Sequence, residues 1–323
     1  MRWSTALVLL LVAIACNDAT LTSAPTAPTT EPGARDGGAA SGDADAEPGA
    51  DGGARDAAPT STSNLRIVAA NISSGPGSNY DPGEGIRLLA GLRPDVALLQ
   101  ELNYKTNTKA DLDAFVSEAF GAGFDYYRED GVQIPNAVVS RYPILTSGRF
   151  VDPRVANRGF VYAKIDVPGP HDVWAVSVHF LTSSSGNRSA EATSLVEQLG
   201  GIVGDDDPVV VGGDFNTSTR TEPCLTTLGQ IVDAAAPIPV DQDGNDSTNG
   251  VRNAPYDWVL TAPALAALQV PTVIGQNQFP TGLVFDSRVY TPLADVPPVQ
   301  ETDSAAQNMQ HMPVVKDFAL PEP

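Results

Sequence analysis

From residue 64 onward the chain carries short apolar runs with strand character, and most begin or end on a polar side chain. The runs are 65–70 (LRIVAA), 95–100 (DVALLQ), 173–180 (VWAVSVHF), 208–213 (PVVVGG), 256–260 (YDWVL) and 312–318 (MPVVKDF). Their length and their β-branched and aromatic content predict strands, several buried on both faces. Between them the period lengthens. Ile86, Leu89 and Ala90 repeat at helical spacing after Pro82. Leu112, Phe115, Val116 and Ala119 do so before Gly121, and Ala192, Leu195, Val196 and Leu199 before Gly200-Gly201. Apolar residues at i, i+3 and i+4 with a glycine stop predict three helices. Strands interleaved with helices, with no second boundary and no internal repeat, predict one α/β or α+β domain.

The first 63 residues have a different character. Arg2 is followed by ten apolar residues, 6–15 (ALVLLLVAIA). A bilayer span needs about 20, so this run reads as an export signal. It ends in Ala13-Ile14-Ala15-Cys16, which resembles the lipobox of bacterial lipoproteins, where the cysteine becomes the lipidated first residue. Leucine is commoner than Ala13 at its position; plain secretion is the alternative. In residues 17–63 Leu21 is the only large aliphatic or aromatic side chain, and eight acids face two bases. Such a stretch buries too little apolar surface to offset the entropy of ordering it, which predicts a disordered tether with a reach of ~40 Å. The expected organisation is a signal at 1–16, a tether at 17–63 and a folded domain at 64–320, held outside the cytoplasm on a membrane through Cys16.

Charge narrows the function. Lys and Arg number 19 against 39 Asp and Glu, a net charge of −20. That disfavours a binder gripping nucleic acid by bulk electrostatics, but leaves open an enzyme that handles phosphates through a metal ion. Two cysteines exclude a disulfide-stapled fold. With Cys16 read as the anchor, Cys224 has no partner and is assigned no role. Three histidines without close His or Cys spacing do not make a tetrahedral zinc site.

The candidate chemistry sits at strand ends. Asn71 follows the first run, Gln100-Glu101 closes the second, and His179 nearly closes the third. Asp214-Phe215-Asn216 follows the fourth, Asp257 opens the fifth and His311 precedes the sixth. Alone, each has a bland reading: Asn71 as a turn cap, Asp214 as a helix cap, a histidine as a satisfied core residue. Six polar positions bordering six apolar runs fit better with a rigid sheet presenting side chains to one cleft.

The set resembles the endonuclease/exonuclease/phosphatase superfamily, over about 65–318. Strand-plus-asparagine matches IVAANISSG with Asn71, and Gln-Glu matches PDVALLQEL with Glu101. A further block matches Asn136-Ala137-Val138-Val139-Ser140-Arg141-Tyr142-Pro143-Ile144. The histidine strand matches VSVHF, followed by Arg188 and Glu191. Gly213-Asp214-Phe215-Asn216 is intact, and Asp-Tyr-apolar matches YDWVL with Asp257. The family's closing Ser-Asp-His-x-Pro is here Met309-Gln310-His311-Met312-Pro313, so glutamine replaces the aspartate. Asp303 is a candidate to compensate.

The resemblance implies a four-layer α/β sandwich, two packed β-sheets flanked by helices. It implies Mg²⁺ (or Mn²⁺ or Ca²⁺) on Glu101 with Asn71 beside it. Asp257 partners His311 as base or phosphate clamp, Asp214 orients or deprotonates water, and Asn216 and His179 donate to phosphoryl oxygens. His171 is read as surface. The expected function is phosphodiester hydrolysis by a monomer on a phosphoester substrate, first a nuclease acting on nucleic acid. Alternatives are a phosphomonoesterase, a sphingomyelinase-like phospholipid phosphodiesterase, or a binding module weakened by Gln310. Arg141, Arg154, Arg158, Arg188 and Arg220 are read either as a local basic surface or as ordinary ion-pair partners.

Overall fold

A computed structural model describes residues 61–72, 83–204, 206–234, 237–306 and 309–322. The expected signal, nearly all of the expected tether and the turn at 73–75 lie outside the described residues. Ser63, placed at the tether's end, already belongs to the first strand. Among the described residues fourteen strands follow in chain order: β1 (Thr62–Asn71), β2 (Val96–Gln100), β3 (Asp125–Arg128), β4 (Ala137–Ser140), β5 (Ile144–Phe150), β6 (Phe160–Ile165), β7 (Val173–His179), β8 (Val209–Asp214), β9 (Asp257–Thr261), β10 (Gln269–Val270), β11 (Thr272–Ile274), β12 (Asn277–Phe279), β13 (Leu283–Val284) and β14 (Val314–Pro321). The helices are α1 (Glu84–Leu92), α2 (Lys109–Phe120), α3 (Ser185–Leu199), α4 (Pro223–Leu228) and α5 (Pro263–Ala266).

The strands form two main sheets. One runs β10-β14-β1-β2-β4-β3 with β13 added on β14, the other β5-β6-β7-β8-β9, and β11-β12 is a separate hairpin. Period-two alternation assigns the faces. In β1, Leu65, Ile67 and Ala69 join Val96 and Leu98 of β2, Val210 of β8, Val259 of β9 and Phe318 of β14 in a core between the sheets. Val68 and Ala70 face outward against Leu88, Leu89 and Leu92 of α1 and Phe115 of α2. On the second sheet Val176, Val178, Val209 and Val211 meet Leu195 and Leu199 of α3 and Leu225 and Leu228 of α4. The result is the expected α/β sandwich, layered helix, sheet, sheet, helix. Gly212 sets the sheet spacing at one point: a Cβ there would come 2.7 Å from Leu98 Cδ1 and 2.8 Å from the Trp258 carbonyl.

Helix boundaries have local causes. Thr108 accepts from the Asp111 amide to start α2, and Ser184 from the Asn187 amide to start α3. Crossovers α1 and α3 return the chain to lie parallel beside its own preceding strand, pairing Asn71 with Gln100 and His179 with Asp214 in register. The carboxyl ends of β1, β2, β7 and β8 thereby meet at one rim. Antiparallel β9 and β14 bring their starts to the same rim, Asp257 opposite Asp214 and Val314 opposite Ala69. In open α/β sheets this rim, beyond the carboxyl ends of parallel strands, is where ligands bind.

Candidate active site

All six strand-end positions converge there. Asn71, 1% exposed, donates from Nδ2 to Glu101 Oε1 (3.1 Å) and Asp214 Oδ2 (3.0 Å). His179 Nε2 lies 3.3 Å from Asp214 Oδ2 and 3.9 Å from Glu101 Oε1. His311 Nε2 lies 3.6 Å from the same Asp214 oxygen, and its Nδ1 is 3.0 Å from Asp257 Oδ2. The other Asp214 oxygen accepts from the Asn216 amide at 2.8 Å. Asn216 Nδ2 donates to the Phe180 carbonyl at 3.0 Å, so one of its two N–H bonds is spent on the backbone after β7. Glu101 and Asn216 both adopt left-handed backbone, φ 59° and 51°. For a glutamate that conformation is uncommon and marks a constrained turn. Gly213 also has positive φ, 134°, and a Cβ there would come 2.5 Å from Gln100 Nε2.

Beneath the rim Gln100 and Ser177 join the sheets. Gln100 Nε2 donates to Ser177 Oγ, which donates to the Leu99 carbonyl, both at 2.8 Å. Thr248 joins the His311 and Asp257 arms: its carbonyl accepts from the Met312 amide and its hydroxyl oxygen from the Asp257 amide, each at 2.7 Å. Sequence reasoning missed Thr248, because the surrounding DGNDSTNG reads as a generic polar loop.

Electrostatics divide the two histidines. Burial alone would lower the pKa of His311, but the charges of Asp257 and Asp214 and the hydrogen bond to Asp257 overturn this and hold it at about 9. Burial, then the charges of Arg158 and His311, drive His179 well below the ordinary histidine value. Burial also raises the Asp214 carboxyl to about 7, with Asp257 adding to the rise and His311 opposing it. At neutral pH the site therefore holds a charged His311 and a neutral His179 on either side of Asp214, whose carboxyl titrates in that same range.

The arginines take the ion-pair reading more than the basic-surface one. Arg188 makes a buried fork with Glu222 (2.7 and 2.8 Å), and Arg220 pairs with Asp246 at 2.5 Å. Arg141 lies 3.1 Å from Asp95, at the opposite end of the sheet from the rim. Arg158 is buried and donates to the carbonyls of His179 (2.6 Å) and Phe180 (3.1 Å). Arg154 stays exposed. Asp303 does not stand in for the aspartate replaced by Gln310: it is fully buried and forked by Arg87, with contacts of 2.6–3.1 Å. Gln310 is exposed, and its carbonyl accepts from the Gly250 amide. His171 is exposed as expected, and Cys224 is buried with its thiol pushed up to about 12 by burial.

The sequence profile of the endonuclease/exonuclease/phosphatase family matches residues 68–281. The chain belongs to that family. Its members are generally hydrolases of phosphoester bonds and commonly use divalent metal ions. Among solved structures the fold is similar to an endonuclease/exonuclease/phosphatase from Bacteroides vulgatus (18% identity, TM-score 0.54, covering 80% of this chain and 99% of that one). It is also similar to a mannosyl-6-phosphatase from Bacteroides thetaiotaomicron (14%, 0.51, 78% and 98%) and to a truncated TDP2 from Caenorhabditis elegans (16%, 0.51, 79% and 97%). No curated protein matches the chain. The family match ends before His311, which the fold returns to the rim.

The donor set fits a hard divalent cation. Glu101, Asp214 and Asp257 supply carboxylate oxygens and Asn71 an amide, against the positive charges of His311 and the buried Arg158. Asp214, Asp257 and His311 have ligand atoms within 4.8 Å of one another, the composition of a metal group. His311, however, is protonated and bonded through Nδ1 to Asp257, and a protonated imidazole is a poor ligand. On the Glu101–Asn71 side the Glu101 side chain is 16% exposed.

Proposed function

We propose that the protein is a divalent-metal-dependent phosphoester hydrolase acting outside the cytoplasm, with Glu101 and Asn71 as its metal seat. The observation that carries this reading is Asp214, one carboxylate held within 3.6 Å of a charged and a neutral imidazole and bonded to the amide of Asn71. A bound divalent cation supplies charge neutralisation at the phosphoryl oxygens. His311, cationic on its Asp257 partner, clamps a phosphoryl oxygen or gives a proton to the leaving oxygen. His179 donates from Nε2 to the developing charge, and the second N–H of Asn216 is placed to do the same. Asp214, with its pKa near neutrality, is suited to take the proton from the attacking water. This division gives the base to Asp214 and the clamp to the His311–Asp257 pair.

The pairing and burial of the arginines favour a compact phosphodiester or phosphomonoester over a long nucleic-acid track. Nuclease activity is the second reading. It is favoured by exposed Lys105 and Arg154, which sit on loops leaving Glu101 and approaching Arg158. Extracytoplasmic, membrane-anchored placement rests on the Cys16 signal alone, and Cys16→Ser is expected to move the protein out of the membrane fraction.

The test is hydrolysis of bis-p-nitrophenyl phosphate with and without EDTA, alongside plasmid DNA, RNA, sphingomyelin and sugar phosphates. Turnover that EDTA abolishes and Mg²⁺ or Mn²⁺ restores supports the reading. Absence of turnover with every divalent ion, together with retained ligand binding, would make the protein a binding module.

A further inference from the structure

The end of the sandwich opposite the candidate active site carries an open furrow of about 570 Å³, lined by Ser63, Asn64, Arg66, Arg93, Arg141 and Tyr142 with Asp95 in its wall. Asn64 lies seven residues before Asn71 on β1, roughly 23 Å away at strand rise. Three arginines around one furrow stand out in a chain of net charge −20.

Their charges are not equally spent. Arg66 spends four of its five guanidinium N–H groups on its fork to Asp317 (2.8 and 2.7 Å) and on the Leu92 and Val273 carbonyls. Arg141 stacks on the Tyr142 ring and uses Nη2 on the Tyr142 hydroxyl and on Asp95 Oδ1, leaving Nε and Nη1. Asp95 uses its other oxygen on the Arg66 amide. Glu322, at the margin, is tied to the Ser61 and Ser63 hydroxyls. Arg93, in left-handed backbone at the end of α1, is exposed and has no side-chain partner among the described residues. The furrow thus offers one whole guanidinium and half of another, with the nearby acids engaged.

We propose that this furrow is a binding site for a phosphate group, held by Arg93 and Arg141. Planar guanidinium forks match the oxygens of a phosphate better than a lone carboxylate does. Two sources share that chemistry: the headgroup of an anionic phospholipid and a free phosphate or phosphomonoester. Position favours the headgroup, because Ser63 and Asn64, at the start of β1, form one wall, so the furrow opens where β1 begins. An arginine pocket there would seat an otherwise acidic protein on an anionic surface with the opposite rim turned away. The inference does not depend on the chemistry proposed at that rim.

The test uses the full chain carrying Cys16→Ser, so that no lipid anchor contributes, with and without Arg93→Gln/Arg141→Gln. Each protein is titrated calorimetrically with inorganic phosphate. Each is also sedimented with vesicles of phosphatidylcholine alone or mixed with phosphatidylglycerol. A phosphate-binding event present in the parent and weakened about tenfold or more in the double variant confirms the site, since one lost arginine fork is worth at least that factor. Phosphate bound at the catalytic rim persists in both proteins and cancels in the comparison. If binding to phosphatidylglycerol vesicles falls in parallel, the source is a headgroup. If neither protein sediments with them, the source is soluble. Hydrolysis of bis-p-nitrophenyl phosphate stays unchanged in the double variant, which keeps this test separate from that of the active site. Identical phosphate isotherms for the two proteins, with or without vesicle binding, overturn the proposal.

Discussion

His179 and His311 are both about 95% buried and both lie within 3.6 Å of the same Asp214 oxygen, yet they carry opposite charge states. The difference lies in what stands behind each ring. His311 has Asp257 on its Nδ1 at 3.0 Å, an anion that favours its proton. Among the described residues the buried Nδ1 of His179 has no hydrogen-bond partner, and the Arg158 guanidinium, bonded to the His179 carbonyl, repels a second positive charge. Equal burial and a shared carboxylate do not make equal imidazoles; the group behind each ring decides.

Breaking the His311 arm carries the largest expected effect. His311→Ala removes the clamp and proton donor and should lower turnover about a thousandfold or more, read from kcat on a soluble phosphodiester. Asp257→Asn keeps the shape but withdraws the charge, so the His311 pKa should fall and the alkaline limb of the activity profile should move to lower pH. Glu101→Gln should weaken divalent-ion affinity at least about a hundredfold in a calorimetric titration while leaving the fold intact, which separates a metal seat from a scaffold role.

Breaking the His179 arm is subtler. Arg158→Met leaves the His179 and Phe180 carbonyls short of a donor and removes the repelling charge. Stability should drop by about 2–3 kcal/mol in urea denaturation, and turnover about tenfold. A purely structural arginine would stop there; as a positioning residue for His179, its loss should also raise the pH at which the His179 ring takes up its second proton, read by ¹⁵N NMR. The arms also make a stability prediction for the metal-free protein. His311 and Asp214 hold protons in the folded state that the unfolded chain has released, so both favour the folded state less as pH rises. The Asp214 contribution is lost as pH rises to about 7 and that of His311 between about pH 6.5 and about pH 9, so the midpoint of thermal unfolding should fall across the latter range and His311→Asn should flatten that slope. The smallest effect belongs to Cys224→Ala, outside both arms, with unchanged turnover and a loss of about 1 kcal/mol at most.

Much of this was legible in the sequence, and for a physical reason. The six principal strands are short, nearly continuous apolar runs, which only a doubly covered sheet accommodates, and their polar ends had to share a rim once the crossovers were right-sized helices. What stayed hidden was weakly patterned. Strand β3 is four residues of half-exposed DYYR, and β5 is interrupted by Ser147-Gly148. The fates of Arg158, Asp303 and Thr248 were equally hidden, because a buried guanidinium on a carbonyl, a carboxylate forked by Arg87 and a threonine bridging two strands are tertiary facts. Composition offers a solvated charge or a loop for each.

The most direct measurement is a titration of the two imidazoles by ¹⁵N NMR in the metal-free protein, with His179→Gln and His311→Gln used to assign the signals. The expected result is one ring that keeps both protons through neutral pH and releases one near pH 9, and a second that loses its proton well below the ordinary histidine range. Two rings titrating together near the ordinary histidine value of about 6.5 would contradict it.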